Sequence, residues 1–396
     1  NGNKLVSDNF DFAKRQMVHM LENIPQGEAK MPHSINGKGN TSCRSIYWWT
    51  SGFFPGILWY INEYTGDKAF ESFAKKWTEK LEPVKTFKGN HDIGIMMYCS
   101  FGNAYRLTQN EKYKDILIQS AYSLATRFNP QVGTIKSWDS WRSWENKHVF
   151  KYPVIIDNMM NLELLFWASK ATGDPSFRNI AISHAEKTMK YQIRKDGSSY
   201  HLACYDPETG NFIKGETSQG YSNESTWSRG QGWGIYGFTL CYRETKDPRF
   251  LKTAQRMADY YINHPNLPSD KIPWWDFDTH RPGFIPGKFS KTNKYIQNYR
   301  DASAASVTAS ALLELSSYVK DDKKKIYTET ALQILTSLSS PEYRAEEGKN
   351  GNFILKHSTG AIPHGSEVDV PLIYADYYFL EALLRYNRMI NNKPIL

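Results

Sequence analysis

The chain has 396 residues, 40% of them hydrophobic and 14% aromatic, which is enough to bury a large core. Its net charge of +8 favours polyanionic partners, but no zinc-finger spacing, RNP-like strand or basic helix is present, so nucleic acid is not expected. No apolar stretch is long enough to span a bilayer, and no Pro/Gly/Ser-rich linker interrupts the sequence. We therefore expect a single domain over residues 1–396, and the sequence leaves its oligomeric state open.

A turn followed by an amphipathic helix recurs along the chain. In chain order, the repeats are EYTGDKAFESFA from Glu63, RLTQNEKYKDIL from Arg106, KATGDPSFRNIA from Lys170, RETKDPRFLKTA from Arg243 and SYVKDDKKKIYTETA from Ser317. Each turn ends one helix and begins another, which is the pattern of stacked helical hairpins. The expected N-caps of the second helices are Asp67, Asn110, Asp174 and Asp247.

The two helices of each hairpin differ in character. The first is apolar nearly all round, as in GIYGFTLCY, whereas the second is amphipathic and charged, as in DKAFESFAKKWTEKL. A sixth apolar helix near Leu372 and an N-terminal amphipathic helix, SDNFDFAKRQMVHMLENI, complete six inner and six outer helices. The sequence thus predicts an all-α fold, an (α/α)6 barrel, with a small β-hairpin insertion at residues 198–216.

Polar and aromatic residues gather just before the inner helices. In chain order they are Trp48 and Trp49, His91 and Asp92, Asp157 and Asn158, Arg229, Gln231 and Trp233, Arg300 and Asp301, and the segment HGSEVDV. Because the N-termini of all inner helices share one rim of a barrel, we expect these residues to meet in one pocket. Free N–H groups there favour an anionic ligand, to which Arg229 and Arg300 are expected to add contacts. Two carboxylates with a histidine and aromatic residues suit acid–base chemistry on a sugar.

Simpler explanations apply to each residue taken singly. Asp92 and Asp157 are equally explained as helix N-caps, His91 as a structural hydrogen-bonding residue, and the tryptophans as core aromatics. No further ligand pattern accompanies His91 and Asp92, and the four cysteines show no paired spacing. We therefore predict no metal site, and buried free thiols.

Several longer motifs resemble a known family. They are HDIG followed by SFGNAYRLT, VIIDNMMNLELLFWA, RKDGSSYHLACYDPETG, TSQGYSNESTWSRGQGWGIYGFTLCYR, PWWDFD and RDASAASVTASALLELS. Over roughly residues 45–386 the chain resembles glycoside hydrolase family 88, the unsaturated glucuronyl hydrolases. The resemblance implies an (α/α)6 barrel that needs no cofactor. It also implies a substrate made by polysaccharide lyases, with or without sulfate, whose terminal uronic acid carries a C4=C5 double bond.

The resemblance also implies roles for individual residues. Asp157, in the family's DNMMN motif, would protonate C4 and activate the water that adds at C5, after which the hemiketal opens and the next sugar leaves. Asp92, in the HDxG motif, would be its ionised partner. The expected substrate-binding residues are His91, Trp48, Trp49, Trp141, His201, Gln219, Arg229 and Trp233. Basic and hydroxyl residues of HGSEVDV are candidates for a second subsite that contacts sulfate.

Other functions fit parts of the same pattern. An unsaturated rhamnogalacturonyl hydrolase would share the fold, although the basic charge fits glycosaminoglycan fragments better than pectin. A polysaccharide lyase fits the aspartate pair poorly, and a non-catalytic sugar-binding protein would not need it. The absent initiator methionine and the family's usual setting give a periplasmic or otherwise exported location as the expectation, with the cytoplasm as the alternative. The type of glycosaminoglycan and any preference for sulfate position stay open at this stage.

Overall fold

The repeats form two concentric rings of helices in a computed structural model of the chain, which describes residues 1–24, 30–292 and 297–396. The inner ring comprises α2 (Phe53–Thr65), α4 and α5 (Ile93–Met97 and Asn103–Thr108, joined by a π-helical turn at Tyr98–Gly102), α7 (Leu162–Thr172), α9 (Ser228–Thr245), α11 (Ala302–Ser316) and α13 (Ile373–Ile390). The outer ring comprises α1 (Gly2–Asn23), α3 (Lys68–Glu79), α6 (Glu111–Ala125), α8 (Pro175–Tyr191), α10 (Pro248–Asn263) and α12 (Asp321–Leu338).

Contacts between neighbouring inner helices close the ring. Helix α11 packs against α9 and α13, α13 packs against α2, and α7 packs against α4 and α9. The N-terminal helix α1 lies against α13 and α2, so it is the outer partner of the last inner helix. Every residue of α11 is buried, whereas the outer helices bury one face, as expected for a double ring. The predicted (α/α)6 barrel is confirmed.

The turns between paired helices have the predicted chemistry. The side chains of Asp67, Asn110, Asp174 and Asp247 each accept a hydrogen bond from the backbone N–H two residues on. Gly66, which ends α2, has a φ of 71°, a left-handed conformation that glycine adopts without the steric cost of a Cβ. A left-handed residue and a capping side chain therefore reverse the chain within a few residues.

The strands are more numerous than predicted. The predicted hairpin at residues 198–216 is present as β8 (Leu202–Tyr205) and β9 (Phe212–Glu216), but β7 (Pro153–Ile155) pairs with β8 to make a three-stranded antiparallel sheet. The small hairpins that the sequence did not reveal are β1 (Lys30–Ile35) with β2 (Thr41–Ser45), β3 (Phe128–Asn129) with β4 (Thr134–Ile135), and β5 (Trp141–Arg142) with β6 (Val149–Phe150).

Two findings bear on broader expectations from the sequence. Among the helices of the described ranges, none is long and apolar enough to cross a membrane. Cys99, Cys204 and Cys241 are buried free thiols, and Cys43 is partly buried.

Candidate active site

A cavity of about 530 Å³ opens at the rim where the inner helices begin. It is lined by Trp48, Trp49, Asn90, Asp92, Trp138, Trp141, Ile155, Asp157, Ser218, Gln219, Arg229, Ala361, His364, Ser366 and Glu367. Seven of the ten predicted site residues are in this lining: Trp48, Trp49, Asp92, Trp141, Asp157, Gln219 and Arg229. Residues far apart in the sequence thus meet in one pocket, as the barrel geometry predicts.

Asp157 reaches the pocket from the junction between a strand and a helix. Strand β7 ends at Ile155, and a short 3₁₀ helix, Ile156–Asn161, leads into α7. The backbone N–H of Ile156 donates to the carbonyl of His201 at 2.9 Å, which places His201 beside Asp157. Asp157 lies within the 3₁₀ turn and does not cap α7. Its Oδ1 is buried and has no hydrogen-bond partner in the described part of the chain.

Two asparagines of the DNMMN motif fasten the segments that carry the aspartates. Asn161 Oδ1 accepts from the backbone N–H of Ile95 in α4 at 2.7 Å, and Asn161 Nδ2 donates to Asn158 Oδ1 at 2.9 Å. Gly94 allows this approach, because a Cβ there would lie 2.6 Å from Asn161 Cβ. The first turn of α4, which follows Asp92, is therefore locked against the turn that carries Asp157.

The surroundings of Asp157 raise its pKa above the usual range of an aspartate. Burial raises the pKa of Asp157 to about 6, and the negative charge of Asp92 acts in the same direction. The charge of Arg229, and that of His91 when protonated, oppose the rise in this pKa. About 15% of the side chain remains exposed in the pocket, so the carboxyl is both protonated in mildly acidic solution and reachable by a ligand.

His201 is held in one tautomer by a neighbouring loop. Its Nδ1 accepts from the backbone N–H groups of Ser218 at 3.0 Å and Gln219 at 3.2 Å. Burial lowers the pKa of His201 well below its usual value, so the ring is neutral and carries its proton on Nε2. That Nε2 lies 3.7 Å from Asp157 Oδ1 and has no closer partner within the described residues. The histidine thus directs an N–H toward the aspartate.

Asp92 stands at the start of α4 with a buried histidine beside it. Its side chain makes no capping hydrogen bond to the helix, which removes the N-cap explanation for this residue. His91 Nε2 lies 3.2 Å from Asp92 Oδ1 without the alignment of a hydrogen bond, and the imidazole is fully buried. The histidine therefore lies against the carboxylate without lining the pocket.

Arg229 supplies a positive charge, and its two terminal nitrogens already have partners while its buried Nε has none among the described residues. Its two terminal nitrogens donate to the carbonyls of Thr359 at 2.7 Å and Gly360 at 2.9 Å, and Nη1 lies 3.5 Å from Asp301 Oδ2. The guanidinium carbon also lies 4.5 Å from the ring centroid of Trp227. With both terminal nitrogens bonded to carbonyls and only 1% of the residue exposed, Arg229 acts on the pocket through its charge more than through free donors.

Tryptophans form the walls of the pocket. Trp48 is 38% exposed, with the guanidinium of Arg44 4.8 Å from its ring centroid. Trp49 packs on Tyr374 with centroids 4.8 Å apart, and Trp138 lies 6.1 Å from Trp141. Flat indole faces on several sides suit a sugar ring, whose C–H faces stack on aromatic groups.

The segment that closes the last side of the pocket adds a third carboxylate, Glu367, to its lining. Glu367 accepts from His33 Nε2 at 2.5 Å, and although burial opposes it, this bond and the charge of Arg229 lower the pKa of Glu367. His364 Nε2 lies 3.0 Å from Ser218 Oγ. The sequence named the HGSEVDV segment as a candidate subsite, and His364 and Ser366 do line the cavity; it gave no sign that Glu367 would do so.

Three predicted substrate-binding residues lie behind the lining. His91 and His201 are buried against Asp92 and Asp157, and Trp233 is 1% exposed with its ring 5.6 Å from that of Tyr378. Trp233 follows Arg229 by four residues, so it lies on the same face of α9 one turn deeper, inside the barrel. Arg300 is also absent from the lining, because it donates to Asp270 at 2.8 Å.

The described residues contain no group of three or more His, Cys, Asp or Glu side chains arranged to hold a metal ion. Trp138, Asn90 and Ser218 line the pocket although sequence reasoning did not select them. Asn90 precedes the HDIG motif and Ser218 precedes Gln219, so proximity to predicted residues was the available signal.

An (α/α)6 barrel whose rim places two aspartates and several tryptophans around one pocket has the architecture of a carbohydrate-active enzyme. The model of glycosyl hydrolase family 88 matches residues 26–243. An unsaturated glucuronyl hydrolase of Formosa agariphila is 45% identical over 86% of this chain and 80% of its own. The chain therefore belongs to glycosyl hydrolase family 88.

Solved structures agree with this assignment. The crystal structure of an unsaturated glucuronyl hydrolase specific for heparin aligns with a TM-score of 0.89 and 44% identity over 99% of both chains. The unsaturated glucuronyl hydrolase of Bacillus sp. GL1, responsible for the degradation of glycosaminoglycan, aligns with a TM-score of 0.82 and 30% identity over 98% of both chains.

Proposed function

We propose that this enzyme removes the terminal Δ4,5-unsaturated uronic acid from glycosaminoglycan oligosaccharides that lyases have released. One observation carries the proposal: Asp157 is a pocket carboxyl with a pKa of about 6 and an oxygen without a partner among the described residues. Such a group donates a proton in mildly acidic solution and accepts one after it has ionised.

The C4=C5 double bond and the ring oxygen of this sugar form a vinyl ether, and protonation of C4 leaves positive charge shared by C5 and the ring oxygen. In the proposed reaction Asp157 gives its proton to C4 and, now a carboxylate, takes a proton from the water that adds at C5. The hemiketal that results opens, and the neighbouring sugar leaves. This route differs from ordinary glycoside hydrolysis, in which the charge develops at C1.

The neighbouring groups support both halves of this cycle. The negative charge of Asp92 raises the pKa of Asp157, which favours the protonated form that starts the reaction. The carboxylate formed by proton transfer faces the Nε2–H of His201 and the charge of Arg229, which stabilise it. Both groups are buried and fixed by backbone contacts, so they require no reorganisation during the reaction.

The substrate class follows from the walls of the pocket and from the charge of the chain. Indole faces of Trp48, Trp49 and Trp141 suit sugar rings, and the net charge of +8 attracts an anionic oligosaccharide. Because a relative that aligns over 99% of this chain is described as specific for heparin, heparin-derived disaccharides come first in the test.

We also infer that residues 1–396 act as one catalytic domain, because α1 and α13 pack together and complete the ring. We propose that the enzyme works in the periplasm or is otherwise exported, and the cytoplasm is the alternative. Limited proteolysis, which should yield one resistant core, tests the first inference. Cell fractionation with an antibody against the protein tests the second.

The deciding experiment follows the ultraviolet absorbance of the double bond with purified enzyme and a panel of unsaturated disaccharides. The panel contains sulfated and unsulfated heparin, chondroitin, hyaluronan and rhamnogalacturonan types. We expect absorbance to fall with the uronyl disaccharides of glycosaminoglycans, and the order of rates to name the preferred polysaccharide. Decay with rhamnogalacturonan fragments alone would replace the proposed substrate, and binding without decay throughout would overturn the proposed reaction.

A further inference from the structure

A buried carboxylate outside the pocket holds one of its tryptophan walls. Glu216, the last residue of β9, is 1% exposed and does not line the cavity. Its Oε1 accepts from Trp141 Nε1 at 2.8 Å, and its Oε2 accepts from Ser143 Oγ at 2.7 Å. Both partners lie on the hairpin formed by β5 and β6, so a single side chain of the three-stranded sheet of β7, β8 and β9 binds this hairpin at two points.

The negative charge of Glu216 is balanced within the same sheet. Lys214 Nζ lies 3.1 Å from Glu216 Oε2 and also contacts Glu145, which belongs to the loop between β5 and β6. Asn223 Nδ2 donates to Glu145 Oε1 at 3.3 Å. A buried carboxylate without a cation would be costly, so Lys214, which Glu216 shares with Glu145, offsets part of the cost of burying Glu216.

The hydrogen bond fixes the direction of the Trp141 ring. The ring packs against an apolar cluster that includes Phe150 and Leu202, and Trp141 also lines the cavity. Strand β5 has only two residues, Trp141–Arg142, which pair with Val149–Phe150, so the backbone alone restrains this side chain weakly. With its N–H tied to Glu216, the indole keeps one orientation toward the pocket.

We propose that Glu216 is a positioning residue for substrate binding, acting by holding Trp141 as a preformed wall for the sugar; this inference rests on the proposed function. Because an indole wall can stack on the sugar but has no group that exchanges a proton with C4 or C5, the loss of its orientation should weaken substrate and transition state alike. Such a change raises KM and leaves kcat nearly unaltered.

The test compares E216A and E216Q with wild type by the absorbance assay. We expect E216A to raise KM about tenfold while kcat changes less than about twofold. E216Q keeps a carbonyl oxygen that can accept from the indole, and we expect it to restore most of the affinity. S143A is the matched control, since it removes the other hydrogen bond to the same carboxylate and leaves Trp141 bound; its KM should stay within about twofold of wild type.

A double-substitution cycle separates the proposed contact from a general loosening of the hairpin. W141F keeps a flat ring but has no N–H, so in this background E216A should raise KM no further. An unchanged KM in folded E216A, an equal rise in S143A, or fully additive effects of W141F and E216A would each overturn the proposal. Should E216A not fold, E216S, whose hydroxyl is too short to reach the indole, replaces it in the same cycle.

Failure of the proposed function gives a different result. If wild type binds the disaccharides without consuming them, calorimetric affinities replace KM in the same comparison, and the loss of affinity in E216A is still expected. If wild type consumes them and E216A keeps its KM, the positioning role alone is overturned. If wild type neither binds nor consumes any of them, both proposals fall.

Discussion

Two regions of the barrel differ in whether the protein itself supplies hydrogen-bond partners for buried charged side chains. Away from the rim, a chamber of about 180 Å³ between the inner helices is lined by Glu381 and Arg385. Glu381 accepts from Tyr60 and Tyr236, each at 2.8 Å, and from Ser310 at 2.6 Å. Arg385 donates to the Ser310 carbonyl at 2.9 Å and to Tyr236 at 3.1 Å. The protein itself supplies partners for the carboxylate and for both terminal nitrogens of the arginine.

At the rim, the polar groups lack such partners. Asp157 Oδ1, both ring nitrogens of His91 and the Nε2 of His201 are buried without hydrogen bonds within the described ranges. Unpartnered buried polar groups cost stability, and they persist where function requires them. The comparison teaches that folding satisfies the Glu381 carboxylate in the chamber, where the Nε of Arg385 lacks a partner among the described residues, whereas the Oδ1 of Asp157 at the rim is left for a ligand to complete.

The largest expected effect is on activity, at the rim. Asp157→Asn removes the proton donor while keeping the shape of the side chain, so turnover should fall roughly 10³-fold, about 4 kcal/mol in the barrier. Absorbance decay measures the rate, and calorimetry should show that disaccharide binding is retained. Asp139→Asn, an exposed carboxylate that precedes Trp141, is the control and should keep full activity. A wild-type rate in Asp157→Asn would remove Asp157 from the mechanism.

The next effect concerns stability, in the chamber. Arg385→Met leaves Glu381 buried without its cation, so the free energy of unfolding should fall by about 3–5 kcal/mol. Denaturant titration measures this change. Arg388→Met is the matched control, because Arg388 also lines the chamber but pairs with Glu63 at a partly exposed site; its loss should cost less than about 1 kcal/mol. Equal losses of unfolding free energy in the two variants would show that the buried pair of Arg385 and Glu381 matters no more for stability than the partly exposed pair of Arg388 and Glu63.

Sequence reasoning succeeded where a local rule governs the structure. Capping side chains such as Asp174, followed by proline at the first helical position, marked the turns, and apolar or amphipathic periodicity separated inner from outer helices. Because the N-termini of six inner helices share one rim, the sequence also predicted the pocket that contains Asp92, Asp157 and Arg229. A regular architecture converts one-dimensional spacing into three-dimensional proximity.

Sequence reasoning failed where the depth of a side chain in the barrel, the pairing of a strand or the partner of a hydrogen bond depends on residues far away in the chain. Trp233 has the same sequence surroundings as Arg229 but lies one helical turn deeper, and no pattern in the sequence fixes where the pocket ends. The hairpin of β5 and β6 has strands of two residues, too short for any periodicity. The carboxylates Glu216 and Glu367 are selected by partners 75 and 334 residues away, namely Trp141 and His33.

A smaller expected effect is the change in the free energy of unfolding with pH, which distinguishes the rim from the chamber. The pKa of Asp157 is raised in the folded state, so stability is full below the unfolded pKa near 4 and declines as pH rises through about 6. Asp157→Asn removes this decline and should raise the free energy of unfolding at pH 7.5 by roughly 1–3 kcal/mol. Glu381→Gln, in the chamber, should lower it. Unfolding curves at pH 4 and 7.5 measure whether each variant gains or loses stability. A loss of stability in Asp157→Asn at pH 7.5 would contradict the inference that the ionised Asp157 lacks hydrogen-bond partners at the rim.

The smallest effect is a shift in the pH dependence of the reaction. Since the proposed reaction starts from protonated Asp157, the wild-type rate should fall as pH rises through about 6. Among the groups that face Asp157, the charge of Asp92 raises its pKa, whereas those of Arg229 and His91 lower it. Asp92→Asn removes the contribution that raises the pKa, so the falling limb of the residual activity should move to lower pH. A limb that stays in place or moves upward would show that Asp92 does not hold the proton on Asp157, and its contribution would then be confined to the charge that develops at C5.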